Sequence, residues 1–321
     1  MRISLSPTAL CALTSGAAID ATAGSLSHHA SRGGRHPRGL YNHATSRLCE
    51  RITRYATDVE ALLRLDYEGI SKPGSGNDSW AATSDALEAL TYAAAEYDDD
   101  LKAIVSNYFA TKEEAVRDER AKFFRSTIRG AANLLNLMAN KAKHEHARAR
   151  LYTAEISFPY QPISLHGFFL EGITEDGAIG PHPVVHAVQP VYSLPSLAWI
   201  AIHMIVETDK ALTHFLSCLS RTESPKADTS CSNFQKAVSA SARLPAYSFG
   251  ETFYEYRLID TDRSETPLDS GLTGSLLTEW PPGWFKVIGA RVSYIGDGAS
   301  VKYTTPPVAK VKLIRYPVPR R

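Results

Sequence analysis

The spacing of apolar positions changes period near residue 150. Before it the spacing is helical. Leu48, Ile52, Ala56, Val59, Leu62 and Leu63 recur on one face and predict a helix over 40–65. The loop-forming composition of SKPGSGNDS (71–79) ends it, and Asp78 or Ser79 can cap a second helix through WAATSDALEALTYAAAEY. A short third helical segment is expected over 101–109. Thr111 followed by Glu114 reads as a capping box opening a long helix toward residue 150, which Gly130 would bend or pack tightly against a neighbour.

After residue 151 the period shortens. LYTAEISF and LHGFFLEGI are rich in β-branched and aromatic residues, and TEDG (174–177) is a turn signal between strands. Pro181, Pro183, Pro190 and Pro195 interrupt the chain. SLPSLAWIAIHMIVETDKALTHFLSCL then predicts a buried helix capped by Ser193 or Ser196, followed by a loop over 221–232 and a shorter helix over 233–242. FYEYRLID, WFKVIGARVSYI, ASVKYTT and VAKVKLIRY read as strands, with IGDGA (295–299) as a hairpin turn. No repeat of fixed period is present. The pattern predicts an α+β chain: a flexible basic tail over 1–38, a helical bundle over 39–150 and a mixed α/β-rich half over 151–321.

Composition narrows the class. The 321 residues carry 44% apolar positions and a net charge of +1, ordinary for a globular protein. The strongest apolar run, 194–206, contains Pro195 and His203 and is shorter than a bilayer requires, so no membrane span is expected. The weakly apolar stretch 9–18 lacks the core and charge of a signal peptide. Cysteines 11, 49, 218 and 231 form no CxxC pair, which points to reduced thiols in a cytoplasmic protein.

The near-neutral total hides an uneven distribution. Between Arg120 and Arg150 stand eight Lys or Arg residues against one acid, Glu145. On a helical wheel of 140–151, NKAKHEHARARL, Lys141, His144 and Arg148 share a flank, while Lys143 points to water. His146 lies across the apolar stripe, so His144 and His146 cannot bind one metal from a helix. A cationic ridge with a histidine suits phosphate binding and proton transfer, the pairing that RNA cleavage needs. This makes Lys141, Lys143 and Arg148 candidate nucleic-acid contacts and His144 a candidate catalytic group. The structural alternative is a solvated helix end whose cations favour the dipole.

A compact bundle whose late helix carries a polar-basic segment with histidine resembles the HEPN superfamily. The resemblance covers about 40–150. It implies a dimeric helical protein, with RNA or a nucleotide as partner, of the kind found in toxin–antitoxin and phage-defence systems. The family pattern is Arg, four to six residues, then His. The late helix instead reads Asn140-Lys-Ala-Lys-His144, and the literal match is RGLYNH, Arg38 to His43, at the start of the first helix. Such a departure fits a binding member more than a nuclease.

Other constellations compete. GPHPVVH places His182 and His186 four apart, and a loop metal site could join them to His166 or Glu171. His203 and Glu207 can pair on the buried helix. WPPGW (280–284) places two tryptophans around a rigid turn that could stack a base or a sugar, or form a packed corner. GxSxG, GxxxxGK[ST], GxGxxG after a strand and HExxH are all absent. RNA or nucleotide binding is the first expectation. A metal-dependent enzyme built on His166, His182 and His186, and a non-enzymatic interaction module, are the alternatives. The sequence names no particular cofactor.

Overall fold

The computed structural model describes residues 2–5, 13–67, 77–157, 162–220, 232–250, 253–259, 265–267, 277–279, 283–292, 304–315 and 317–319. Several expected features lie outside these: most of the loop 71–79, the loop 221–231, the turn 295–299, Trp280, Cys11 and Cys231. The described residues form an α+β structure, with helices concentrated in the first half and an antiparallel sheet in the second.

The helical period is realised where it was strongest. In α2 (Pro37–Tyr67) the stripe Leu48, Ile52, Ala56, Val59 and Leu62 is buried, and Pro37 stands in the first turn, where its missing N–H costs nothing. Helix α3 (Asn77–Ser106) packs along it. The separate helix expected over 101–109 is instead the last turn of α3, because Leu101 and Ile104 prolong the buried stripe of Leu90, Ala94 and Tyr97 without a breaker. The Thr111–Glu114 capping box forms with both reciprocal bonds. It opens only the short α4 (Lys112–Arg117). Asp118 then turns extended, and its carboxylate accepts the Arg120 and Ala121 N–H groups to start α5 (Glu119–Glu145). A Cβ at Gly130 would meet nothing within 4 Å, so no tight helix contact depends on that glycine.

The N-terminal segment departs from the expected flexible tail. Residues 15–26 form α1 (Ser15–Leu26), with Ala18, Ile19 and Ala23 buried. Thr14 makes no side-chain cap of its own. Asp209 of α6 (Leu194–Ser220) supplies the cap from a distant part of the chain, accepting the Thr14 and Ser15 N–H groups at 2.8 and 3.0 Å and the Tyr41 hydroxyl at 2.8 Å. A carboxylate at a helix N-terminus also meets the positive end of the dipole. Arg32 beyond the helix donates to the Ser106 carbonyl at 2.6 Å, which ties the segment to the end of α3.

Helix α6 comes from the second half of the sequence yet lies within the bundle, against α1, α2 and α5. The core therefore crosses residue 150. The main sheet has the order β4-β3-β2-β10-β11-β6, from Ile179–Pro181, Ile163–Ile173, Ala149–Ile156, Gly283–Val292, Lys310–Arg315 and Ala246–Ser248. Strand β5 (Tyr192–Ser193) lies beside β3, and every pairing is antiparallel. Side chains alternate across β2 and β3. Ala149, Leu151, Phe168 and Leu170 join the helical core. Tyr152, Ala154, Ile156 and Leu165 join Tyr247, Val311 and Leu313 in a second core on the other face. Helix α7 (Ser232–Ala242) packs on α2. The remaining strands are β1 (Arg2–Leu5), β7 (Phe253–Ile259) and β8 (Glu265–Pro267) in one small sheet, and β9 (Leu277–Glu279) with β12 (Pro317–Pro319) in another.

Asp209→Ala strips the cap from α1 and leaves buried donors unpaired. The expected loss is about 3 kcal/mol, measured by denaturant unfolding. New protease cleavage within 13–36 should accompany it, while the natural protein resists cutting there.

Candidate functional site

Helix α5 stops at Glu145, five residues before the end expected for it. His146 takes left-handed backbone angles (φ 54°, ψ 26°), and its N–H donates to the Lys141 carbonyl. Histidine tolerates this conformation better than branched residues do. The chain then extends into β2, so Arg148 leaves the helical flank it was expected to share with Lys141 and His144. The cause is local: β2 must run beside β3 from Ala149, opposite Leu170.

The basic segment is largely neutralised from within. Lys141 pairs with Glu145 one turn on. Glu145 also binds His182 at 2.9 Å through its second oxygen, and these two contacts, Lys141 first, hold its carboxyl below the usual range. Arg120 pairs with Asp118, Lys122 with Glu119, and Arg125 donates to the Ala115 and Val116 carbonyls. Arg150 is buried and holds Glu171 at 2.6 Å. The Arg148 N–H donates to the same carboxylate at 3.1 Å. Glu88 lies near Arg148 and Glu171; burial, then Asp85, raises its pKa, while the Ala149 N–H and Arg148 oppose that rise. Among the described residues Arg129 and Lys143 form no ion pair. They stand fourteen positions apart, roughly 21 Å along the helix. His144 is exposed.

The three histidines of the metal alternative are each engaged separately. The His182 Nδ1 accepts the Val184 N–H at 3.2 Å, which leaves Nε2 as the donor to Glu145. The His186 Nε2 accepts the Leu170 N–H at 2.9 Å while its Nδ1 donates to the Gln189 carbonyl at 2.8 Å. His166 shares a 3.0 Å hydrogen bond with Thr153 under the edge of Trp80. No group of three potential metal ligands occurs among the described residues. The loop bearing His182 sits so close to β3 that a Cβ on Gly172 would lie 2.7 Å from the His182 Cα. Arg38 and His43 of the literal RGLYNH match lie on one helix but about 140° apart, and Arg38 faces Asp20 at 3.5 Å. A concavity between α3, α5, β2 and β3 is lined mainly by apolar side chains such as Leu87, Met138 and Leu170, with Thr91, Tyr92 and one carboxylate, Glu88. That is too little polar chemistry to fix a substrate.

A different surface has the chemistry the helix lacks. Along β10 the exposed positions alternate: Trp284, Lys286 and Ile288 point out, while Phe285 and Val287 pack on the second core. The antiparallel register sets Trp284 opposite Lys312 and Lys286 opposite Lys310. Lys310 and Lys312 are also exposed. This outer face continues the one that the helices cover at β2 and β3, and it emerges where Glu155 is bound by Arg291 at 2.7 Å. Among the described residues no carboxylate pairs with Lys286, Lys310 or Lys312. Like charges directly opposite across a ladder cost a few tenths to about 1 kcal/mol, and among the described residues no anion offsets them.

No family model matches the chain, and no curated protein or solved structure matches it. Within the described residues no helix is long and apolar enough to cross a membrane.

Burial pushes the His186 imidazole down to about 4, from an ordinary value near 6.5. The unfolded chain therefore binds the extra proton first. The stability that the neutral ring contributes is complete above pH 6.5 and is lost as pH falls toward 4, on the order of 3 kcal/mol in all. His186→Gln keeps an acceptor for the Leu170 N–H but cannot protonate. Its unfolding free energy should fall less than that of the natural protein between pH 6.5 and 4.

Proposed function

We propose that this is a nucleic-acid-binding protein whose contact is the outer face of β10 and β11. The supporting observation is the set of three exposed lysines, Lys286, Lys310 and Lys312, without a carboxylate partner among the described residues and with two of them directly opposed across one ladder. An arrangement that costs stability in the free protein is offset when a polyanion lies on it. Phosphate oxygens accept from ammonium donors and release condensed counterions.

This keeps RNA or nucleotide as the partner and moves the contact away from the end of α5. Lys141 and Arg150 are paired with Glu145 and Glu171, and Arg148 lies near Glu88, whereas Lys143 and His144 stay exposed and add at most a weak outlying contact. The helical half then serves as the body that holds the sheet, in keeping with a HEPN-like bundle that binds without cleaving. The four widely spaced cysteines, without a CxxC pair, accord with a cytoplasmic setting.

Binding to a mixed RNA and DNA pool, followed by anisotropy at increasing salt, tests the assignment. The log of affinity should fall with the log of salt with a slope of roughly 2, about 0.7 for each of three phosphates neutralised. Replacing Lys286, Lys310 and Lys312 together with Gln should remove most of both the binding and the slope, with the thermal midpoint kept or raised. Undiminished binding by the triple variant would reject the sheet face as the contact.

A further inference from the structure

The outer face of β10 alternates in chemistry as well as in direction. Trp284, Lys286 and Ile288 follow one another at two-residue steps of about 7 Å, giving an aromatic ring, a cation and an apolar side chain in line. Trp284 is 59% exposed, although an indole normally gains by burial. Its cross-strand neighbour is the exposed Lys312. We propose that this track takes single-stranded nucleic acid, with a base stacked on Trp284 and the adjoining phosphates against Lys312, Lys286 and Lys310. This rests on the nucleic-acid-binding assignment and specifies its substrate class.

The geometry favours a single strand over a duplex on two grounds. A duplex keeps its base faces inside its own stack, so it can offer the lysines phosphates but cannot offer the indole a ring. The platform is also the pleated surface of two strands, about 5 Å apart at their side chains, with no helix described beside it that could enter a groove. Stacking on an exposed aromatic with cations alongside is sequence-tolerant, because every base has a π face. The recognised chemistry is an unpaired base joined to phosphate, which RNA and DNA share.

The test uses the full chain and five probes: a mixed-sequence single-stranded RNA twelve-mer, the DNA strand of the same sequence, the two corresponding duplexes, and inorganic polyphosphate. Binding is read by anisotropy or competition, and by quenching of tryptophan fluorescence. The natural protein should bind one or both single strands more tightly than the duplexes or polyphosphate. Whichever single strand binds more tightly names the source. Trp284→Ala should weaken single-strand binding roughly 5- to 100-fold and leave polyphosphate binding unchanged. Trp284→Phe should recover most of the loss. Equal binding of duplex and single strand, or a Trp284→Ala protein that keeps its single-strand affinity, overturns the stacking inference while leaving the lysine contact intact. Failure of the natural protein to bind any probe overturns both. Circular dichroism of each variant checks that the sheet is retained, as expected for an outward-facing side chain.

Discussion

Strands β2 and β3 are buried on both faces, and the rest of the architecture follows from that. Leu151 and Phe168 need the helices on one side, while Ala154 and Leu165 need the second core on the other. Supplying the first face requires α6 to return from the second half of the sequence into the bundle. Supplying the second requires β6, β10 and β11 to bring Tyr247, Val287, Val311 and Leu313 around the far side. The Tyr247 hydroxyl fastens this closure by donating to the His166 carbonyl at 2.7 Å and accepting the His166 N–H at 3.1 Å. Helix α6 also meets the far edge strand β6, while no described helix packs closely on β10 or β11. The outward positions of β10 and β11 are left to solvent, and they carry tryptophan and lysine.

The same geometry explains why much of the densest run of positive charge in the sequence is paired within the fold. Charge in sequence becomes potential in space only where acids are absent nearby. Along α5 the acids are present at helical spacing, as Glu119 with Lys122 and Glu145 with Lys141, or are brought in by the sheet, as Glu171 to Arg150. His182 closes the end of α5 onto the loop after β4 through Glu145. These contacts set the helix end and the first rung of β2, so the cations there act in holding the fold. On β10 and β11 the reverse holds. Three lysines add little to any count of charge, yet the register gathers them on one surface.

Much of the fold was legible where one period dominates. The stripes of α2 and α6 and the alternation of β2, β3 and β10 could be read from their own residues. Helix α1 could not. Its Ser, Gly, Ala and Thr residues make no broad apolar stripe, and its cap is Asp209, 194 residues from Ser15. The break between α4 and α5 turns on Asp118, whose capping role depends on backbone angles that the earlier Thr111 box hid. For the site, the i,i+4 pair of Lys141 and Glu145 was visible in the sequence, but Glu171 near Arg148 and Arg150 was not, because it arrives through strand pairing. WPPGW offered two tryptophans that could stack a base or a sugar or form a packed corner, and Trp284 is exposed. Its opposition to Lys312, and that of Lys286 to Lys310, is a matter of register between strands more than twenty residues apart, which no local pattern carries.

The most direct measurement is photo-crosslinking of a bound thiouridine-labelled single strand, followed by peptide mass spectrometry. Crosslinks concentrated on peptides spanning 283–292 and 310–315, with Trp284 or its neighbours as the attachment points, are the predicted result. Crosslinks concentrated on 141–148, with none on the two strands, would return the contact to the end of α5 and contradict a binding face on β10 and β11.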